Sequence, residues 1–176
     1  MERKLNIGCG KDIRPKSEGW DNLDSVELPG VDIVLDLDYG RWPIDDNIYD
    51  YIECRMVLEH LRNWPQAMEE IWRIAKPGAI INIQVPFFAS PSQWIDPTHK
   101  SAFAYRTWEY FTPENPLNYY TKARFNIKKR YIRFSGNKFL NFLPAFFINM
   151  TPNFYSRVFC FIFPSSSMEV TLEVIK

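Results

Sequence analysis

Short apolar runs that end at turn residues flank one segment of helical periodicity in the first half of the chain. The runs predict five strands, near residues 4–8, 20–24, 31–37, 49–54 and 79–85. Between the last two runs, apolar residues recur at helical spacing from Ala67 to Ala75. Asn63 supplies an N-cap, Pro65 suits the first turn, and Lys76-Pro77-Gly78 ends the helix. A strand, a crossover helix and an Ile/Val-rich strand are what a buried parallel sheet requires, so the pattern predicts an α/β fold.

The second half of the chain combines a further helix pattern with β-rich and aromatic segments. A helix is predicted over about 101–111, and long β-rich segments cover 124–134 and 168–175. The apolar stretch within residues 138–167 is interpreted as an inserted helical pair that packs over the sheet. Three alternatives for this stretch stay open: an exposed apolar face for an acceptor molecule, a homodimer contact, and a peripheral membrane contact.

Length and composition fit a single domain. The 176 residues, of which 46% are hydrophobic, match the usual domain size and can form a real core. Cys9, Cys54 and Cys160 are odd in number and widely spaced, so neither a disulfide framework nor a zinc knuckle is indicated. The chain opens on charged residues without an apolar signal segment, and no run reaches about 18 apolar residues, so a cytoplasmic protein is expected.

The formal net charge of zero conceals a division of charge along the chain. Residues 115–168 contain eight Lys and Arg side chains and neither Asp nor Glu. Such a basic region next to aromatic residues favours an anionic or lipid-linked small acceptor. Nucleic acid is disfavoured, because the basic run Lys128-Lys129-Arg130 lies between Ile127 and Tyr131 in a predicted strand, where part of the charge belongs to a solvated sheet face.

A strand that runs straight into glycines opens the chain. Leu5-Asn6-Ile7 leads into Gly8-Cys9-Gly10, and Asp24 follows at the tip of the second predicted strand. Glycines let the backbone turn sharply and approach a ligand closely, while an acidic residue at a neighbouring strand end can accept both hydroxyls of a ribose. Gly-x-Gly alone is more often a plain tight turn, and an isolated Asp is usually a strand-end cap. Their combination favours a nucleotide-binding site.

Seven segments of the chain, beginning with this strand and its glycines, follow one another in an order that resembles class I S-adenosylmethionine-dependent methyltransferases. They are Leu5 to Gly10, Gly19 to Asp24, Asp32 to Leu37, Trp42 to Asn47, Tyr49 to Ile52, Val57 to Leu61 and Lys76 to Gly78. The resemblance covers residues 4–90 most closely, and it points to a branch of small methyltransferases that carry Val-Leu-Glu-His-Leu after the fourth strand. The later run Asp96-Pro97-Thr98-His99-Lys100 also resembles this branch.

The resemblance implies a Rossmann-like, doubly wound sheet of seven strands in the order 3-2-1-4-5-7-6, with strand 7 antiparallel. The domain would comprise a cofactor-binding core over 4–90, a cap segment over 91–120, and C-terminal strands over 121–176. Only about nine residues separate Gly10 from Trp20, which is too short for a full crossover helix, so the first helix is expected to be shortened.

The resemblance also assigns cofactor-binding residues around the first two strands. Gly8, Cys9 and Gly10 would approach the methionine and ribose parts of S-adenosylmethionine, and Asp24 would bind the ribose hydroxyls. Asn6 stands where the family often has an acidic residue, and it brings a hydrogen bond without a charge. Cofactor affinity is therefore expected to be modest.

The next two strands complete the implied cofactor site. Asp36 and Leu37 would meet the adenine, with the carboxylate accepting from its amino group. Cys54 and Arg55, at the end of the fourth strand, would border the methionine end close to where the acceptor enters.

His60 and His99 are the candidate catalytic residues, because they alone titrate near neutrality without perturbation. For Glu59-His60, a helix-start pair that hydrogen-bonds the Gly8 loop or the backbone is the favoured alternative, and His99 could simply cap the next helix. The two histidines lie 39 residues apart, whereas ligands on one element lie three or four apart, so no metal site is predicted.

These features predict a methyltransferase that transfers a methyl group from S-adenosylmethionine to an unidentified small or lipid- or glycan-linked acceptor. A catalytically inactive, cofactor-binding scaffold that engages a partner through its aromatic C-terminal segment is the alternative. A nicotinamide-dependent oxidoreductase is a weaker interpretation, because a third glycine is missing near the first helix.

Overall fold

The computed structural model describes residues 2–176 and contains a seven-stranded sheet in the order β3-β2-β1-β4-β5-β7-β6. The strands are β1 Lys4–Ile7, β2 Trp20–Asp24, β3 Ile33–Val34, β4 Tyr49–Arg55, β5 Ala75–Pro86, β6 Phe125–Arg133 and β7 Ser167–Val174. β1 to β5 pair in parallel, whereas β7 is antiparallel to both β5 and β6. The predicted strand order and the antiparallel last strand are confirmed.

Helix α1, Trp64–Ile74, follows from its sequence as predicted. The Asn63 side chain accepts a hydrogen bond from the Gln66 amide at 3.4 Å, and Pro65 occupies the first turn. The buried face of the helix consists of Ala67, Met68, Ile71 and Ile74. Crossing from β4 to β5, this helix covers one side of the sheet and leaves the carboxyl ends of the strands free for a ligand.

Three predicted boundaries are wrong, each for a local reason. Lys76-Pro77-Gly78 lies inside β5, because Ala75 already pairs with Tyr49 and the register then shifts before Ile80 pairs with Tyr51. Of the strand predicted over 31–37, only Ile33–Val34 forms, since the chain turns at Asp36, whose carboxylate accepts from the Asp38 amide at 3.0 Å.

The helix predicted over 101–111 is reduced to a 3₁₀ helix at Thr107–Phe111. The first part of that segment is extended, because Phe103 pairs with Phe87 in an isolated parallel bridge. Phe103, Trp108 and Phe111 are fully buried, and Trp64 packs edge-on against Phe103 with ring centroids 5.0 Å apart. Tertiary packing of aromatic rings here overrides the helical period of the sequence.

The first crossover is a 3₁₀ helix of three residues, Lys16–Glu18, so its predicted shortening is confirmed.

Helix α2, Pro91–Ile95, lies between β5 and β6. The chain between β6 and β7 forms α3, Lys138–Met150, and α4, Pro152–Phe154, which continues into a π-helix at Tyr155–Phe159. We call residues 138–163 the aromatic insertion. Asn149 holds α3 to β6 through two 2.8 Å hydrogen bonds with the backbone of Ile132. Because polar side chains anchor the helix, most of its aromatic residues are left outside the core.

Exposure of the aromatic insertion differs from the favoured interpretation of the sequence. Ala145, Ile148 and Tyr155 are buried, but Phe139 is 93% exposed and Phe142 is 77% exposed. The insertion therefore packs on the sheet with few residues and presents a broad apolar face to solvent. Within residues 2–176, no helix combines the length and apolar character needed to cross a membrane.

Arg73 on α1 is expected to be a major source of stability. Its guanidinium pairs with Glu70 at 2.6 Å and donates to the carbonyl oxygens of Ile44 at 2.7 Å and Trp42 at 3.0 Å. The Arg73 side chain is only 13% exposed, so Arg73→Ala leaves the largely buried Glu70 carboxylate without its counter-ion and two carbonyl groups without this donor. We expect a loss of about 3 kcal/mol in the free energy of unfolding, measured by urea denaturation.

Arg41→Ala is the matched control for this prediction. Arg41 contacts Asp46, which Arg73 also contacts, but its side chain is 72% exposed. The exposed pair should contribute less than about 1 kcal/mol. Equal effects of the two substitutions would show that Arg73 does not hold this segment to α1.

Candidate cofactor and acceptor site

A cavity of about 700 Å³ opens beyond the carboxyl ends of β1, β2 and β4. Five of the residues predicted for the site line it: Gly8, Asp24, Asp36, Leu37 and His60. Its volume lies in the range of small-molecule and cofactor sites, and its place at the strand ends is where doubly wound sheets bind ligands. The fold thus gathers residues from four separate segments into one site.

Gly8 shapes the turn after β1. Its φ of +67° lies in the left-handed region, and a Cβ atom there would lie 2.1 Å from Cγ2 of Val57. The amides of Gly8 and Cys9 both donate to the Leu23 carbonyl oxygen, at 2.8 and 3.0 Å. Only glycine allows this turn to pack against the segment that follows β4.

Asp24 stands at the end of β2 and faces the same cavity. One carboxylate oxygen accepts from the Gly10 amide at 2.8 Å, and the other accepts from the Val26 amide at 3.1 Å. Each oxygen retains capacity for a further hydrogen bond, so the carboxylate can accept two ligand hydroxyls while it holds the glycine turn.

The segment after β3 supplies two carboxylates, of which only Asp36 was identified from the sequence. Asp38 also lines the cavity, and one of its oxygens accepts from the amides of Arg62 and Asn63 at 2.8 and 3.1 Å. The Asp-x-Asp spacing was the available signal. Leu37 lies between them in the chain and is buried. This part of the cavity wall therefore combines two carboxylates with one apolar side chain.

Other predicted cofactor residues lie beside the cavity without being among its lining residues. Asn6 is buried, and Nδ2 of its side chain donates to the backbone carbonyl oxygen of Asp12 at 2.8 Å. Cys9 and Cys54 are also buried, and burial raises the pKa of both thiols. Gly10 is tied to Asp24 through its amide. These residues support the turn, and any direct contact with the cofactor stays a prediction.

Arg55 lies at a second cavity, of about 360 Å³, between β4, β5, β7 and β6. Its side chain donates to the Gln84 side chain at 3.1 Å and is 51% exposed. The larger cavity does not include Arg55 among its lining residues. Its predicted place at the methionine end of the cofactor stays a prediction.

His60 and His99 are brought into contact, with ring centroids 4.6 Å apart. Their spacing of 39 residues was the ground for predicting no metal site, and that ground is wrong. The amides of Lys100 and Ser101 donate to the Glu59 carbonyl oxygen and fold the later loop onto the 3₁₀ helix Leu58–His60. His60 lines the large cavity, whereas His99 is not among the residues that line it. Burial lowers the pKa of His60.

Glu59 is the unusual member of this group. The residue is only 1% exposed, and Oε2 of its carboxylate has no hydrogen-bond partner among the described residues. Burial raises its pKa to about 7. Glu59 and His60 are the second and third residues of the 3₁₀ helix Leu58–His60, and that position leaves the carboxylate itself unexplained.

Comparison with known proteins identifies the family. The sequence model of the methyltransferase domain family matches residues 2–126, which is well over half of the chain. A search of curated proteins gives no match to this chain.

Solved structures share its fold at low identity. An S-adenosylmethionine-dependent methyltransferase from Archaeoglobus fulgidus is 17% identical with a TM-score of 0.65, over 98% of this chain and 86% of that chain. A putative methyltransferase from Bacillus halodurans is 13% identical with a TM-score of 0.61, over 99% and 93%. Phosphoethanolamine N-methyltransferase 2 from Haemonchus contortus, solved with S-adenosylmethionine, is 15% identical with a TM-score of 0.60, over 99% of this chain and 48% of its own. This chain belongs to the methyltransferase domain family and is a class I S-adenosylmethionine-dependent methyltransferase.

Proposed function

We propose that this methyltransferase acts on an anionic, lipid-linked acceptor at a membrane surface. The observation that carries the proposal is the exposed apolar face of the aromatic insertion, at the edge of the sheet where the cofactor cavity opens. Bound S-adenosylmethionine supplies a methyl group already activated on a sulfonium. In the proposed site Asp24 binds the ribose hydroxyls, Asp36 and Leu37 bind the adenine, and the glycine turn with Cys9 and Gly10 borders the methionine.

Topology supports this placement of the insertion. β7 is antiparallel to β5, with Ser167 opposite Pro86, and β6 ends where β7 begins, with Arg133 opposite Ser167. The chain between β6 and β7 therefore leaves and re-enters the sheet at the carboxyl end of β5. At that end Phe161 packs against Phe88, with ring centroids 5.7 Å apart.

The chemistry of the insertion suits a lipid surface. Its exposed apolar residues are Phe139, Leu140, Phe142, Leu143, Phe146, Phe147, Met150, Phe154, Val158, Phe159, Phe161, Ile162 and Phe163. Monomeric soluble proteins rarely leave so large an apolar patch in water. Lys138 and Arg157 accompany it in a region without acidic residues, so the face complements anionic lipids. An apolar cavity of about 560 Å³ between α3 and the π-helix offers room for an acyl chain.

Little chemistry is required of the acceptor side beyond positioning. Methyl transfer needs in-line approach of a nucleophilic oxygen or nitrogen and, for a protonated acceptor, loss of one proton. His60 faces the cavity and is the side chain best placed to contact the acceptor, while His99 packs behind it. We assign both histidines to the acceptor side of the site.

Flotation with vesicles tests the membrane contact. The protein should bind vesicles that contain phosphatidylglycerol and should bind phosphatidylcholine vesicles more weakly. Phe139→Ser/Phe142→Ser should reduce binding at least about 10-fold, because each aromatic side chain inserted contributes about 1.5–3 kcal/mol. Tyr119→Ser removes an aromatic residue that is 68% exposed outside the insertion and is the matched control. Equal binding by all three proteins would contradict the membrane contact.

Turnover tests the acceptor class and separates the enzyme from an inactive scaffold. With methyl-labelled S-adenosylmethionine, label should enter the organic-soluble lipid fraction of a cell extract and be reduced in the same Phe139→Ser/Phe142→Ser variant. Label confined to water-soluble acceptors would overturn the lipid-linked acceptor. Tight cofactor binding without any transfer would instead favour the scaffold.

A further inference from the structure

Three side chains converge beside the cofactor cavity in a way that the methyl-transfer site does not explain. Glu59 and His60 come from the 3₁₀ helix after β4, and His99 comes from the loop after α2. One carboxylate oxygen and one nitrogen from each imidazole lie within 4.8 Å of one another. Glu59 is buried and the two histidines are partly buried, so the group is a cluster inside the fold.

Hydrogen bonds fix which histidine nitrogens are free. The Thr98 hydroxyl lies 2.6 Å from the Asp96 carboxylate, which can only accept, so it donates there. Its oxygen, 2.8 Å from Nδ1 of His60, must then accept the Nδ1–H of that ring. Nδ1 of His99 lies 2.9 Å from the Gln93 carbonyl oxygen, which likewise only accepts. Both neutral imidazoles therefore present a bare Nε2 lone pair.

The carboxylate completes the donor set. Oε2 of Glu59 is buried and has no hydrogen-bond partner within the part of the chain that the structure describes. Leaving such a group unpaired costs free energy, and buried polar groups are normally satisfied. The Asp96 carboxylate also approaches, with Oδ2 at 3.9 Å from Nε2 of His99. A cation placed among these atoms satisfies what the protein leaves unsatisfied.

We propose that Glu59, His60 and His99 bind one divalent transition-metal ion of the Zn²⁺ class. Two imidazole nitrogens and one carboxylate oxygen are a donor set suited to Zn²⁺, whereas Mg²⁺ and Ca²⁺ prefer oxygen ligands. The contacts of both Nδ1 atoms are the outer partners that orient metal-binding histidines. Donor atoms around tetrahedral Zn²⁺ lie ~3.3 Å apart, so the three side chains must move closer together when the ion binds.

The ion would stand at the acceptor side of the cavity, because His60 and Lys100 line that cavity. Three protein ligands leave a coordination position open for an oxygen of the acceptor, such as a phosphate or hydroxyl group. This use of the ion rests on the proposed function, whereas the binding site itself does not.

Metal titration of the tag-free, chelator-treated protein tests the site. Co²⁺ should bind with one ion per chain and give visible absorption bands of low-coordinate cobalt, Zn²⁺ should displace it, and Mg²⁺ should not. Glu59→Gln and His60→Ala should each weaken Co²⁺ binding at least about 100-fold. His60 is not fully buried, so its variant tests the site even where Glu59→Gln fails to fold.

Asp24→Ala is the control that separates this site from the cofactor site, since it should keep Co²⁺ binding unchanged. Absence of Co²⁺ and Zn²⁺ binding, or binding that both ligand variants retain, would overturn the metal site. Metal binding without label in lipid would overturn the lipid-linked acceptor and leave the metal site standing. Undiminished transfer of label to lipid by protein that binds no metal would overturn the ion's role at the acceptor and leave the lipid-linked acceptor standing.

Discussion

Asp24→Ala is expected to raise the Kd for S-adenosylmethionine at least about 100-fold. The carboxylate is assigned two ribose hydroxyls, and each hydrogen bond to a charged acceptor contributes about 1.5–3 kcal/mol. The substitution also removes the acceptor of the Gly10 amide, which the carboxylate holds at 2.8 Å. Calorimetric titration with S-adenosylmethionine and S-adenosylhomocysteine measures the effect, and NADH should not bind in either protein.

Asp12→Ala is the matched control for Asp24. Asp12 lies between β1 and β2, its side chain is 65% exposed, and it pairs with Arg14. We expect cofactor affinity within about threefold of the wild type, because an exposed ion pair contributes little. If Asp24→Ala also stayed within that range, the ribose would have to bind elsewhere in the cavity.

Gly8→Ala is expected to lower the free energy of unfolding by about 2–4 kcal/mol and to abolish cofactor binding. The new Cβ would lie 2.1 Å from Cγ2 of Val57, and the φ of +67° adds backbone strain for any residue with a side chain. Relief requires the turn after β1 to move away from the segment after β4, which deforms the cavity. Urea denaturation measures the loss of stability.

Gly10→Ala distinguishes the contact from the backbone strain. Gly10 also has a positive φ, of +50°, but its added Cβ would meet nothing within 4 Å. It should therefore cost only about 1–2 kcal/mol. The double variant Gly8→Ala/Val57→Ala removes the colliding methyl groups and should regain part of the loss. Equal costs for Gly8→Ala and Gly10→Ala would mean that the Val57 contact does not determine the effect.

Features that depend on strand order could be predicted from the sequence. Gly8 and Asp24 follow short apolar runs, and parallel strands bring their carboxyl ends to one edge whatever the side-chain detail. Asp36 and Leu37 also line the cavity, because they follow the carboxyl end of β3. The periodicity and cap of α1 were likewise local, so Asn63 was found correctly.

Features that depend on packing between distant segments could not be predicted in this way. His60 meets His99 because backbone amides fold one loop onto another, and no sequence spacing encodes that contact. The segment 101–106 is not helical because Phe103 enters an aromatic cluster, against its helical pattern. Arg55 ends β4 as predicted, but alternation along the strand directs its side chain to the second cavity.

The packing of Gly8 against Val57 makes two binding events share one short piece of chain. Val57 touches the turn assigned to the methionine end of the cofactor, and Glu59 and His60 follow it immediately in the chain. A displacement of residues 57–60 on binding of one ligand would therefore reach the site of the other. Thermodynamic linkage requires any such effect to be reciprocal, with each ligand changing the affinity for the other by the same factor.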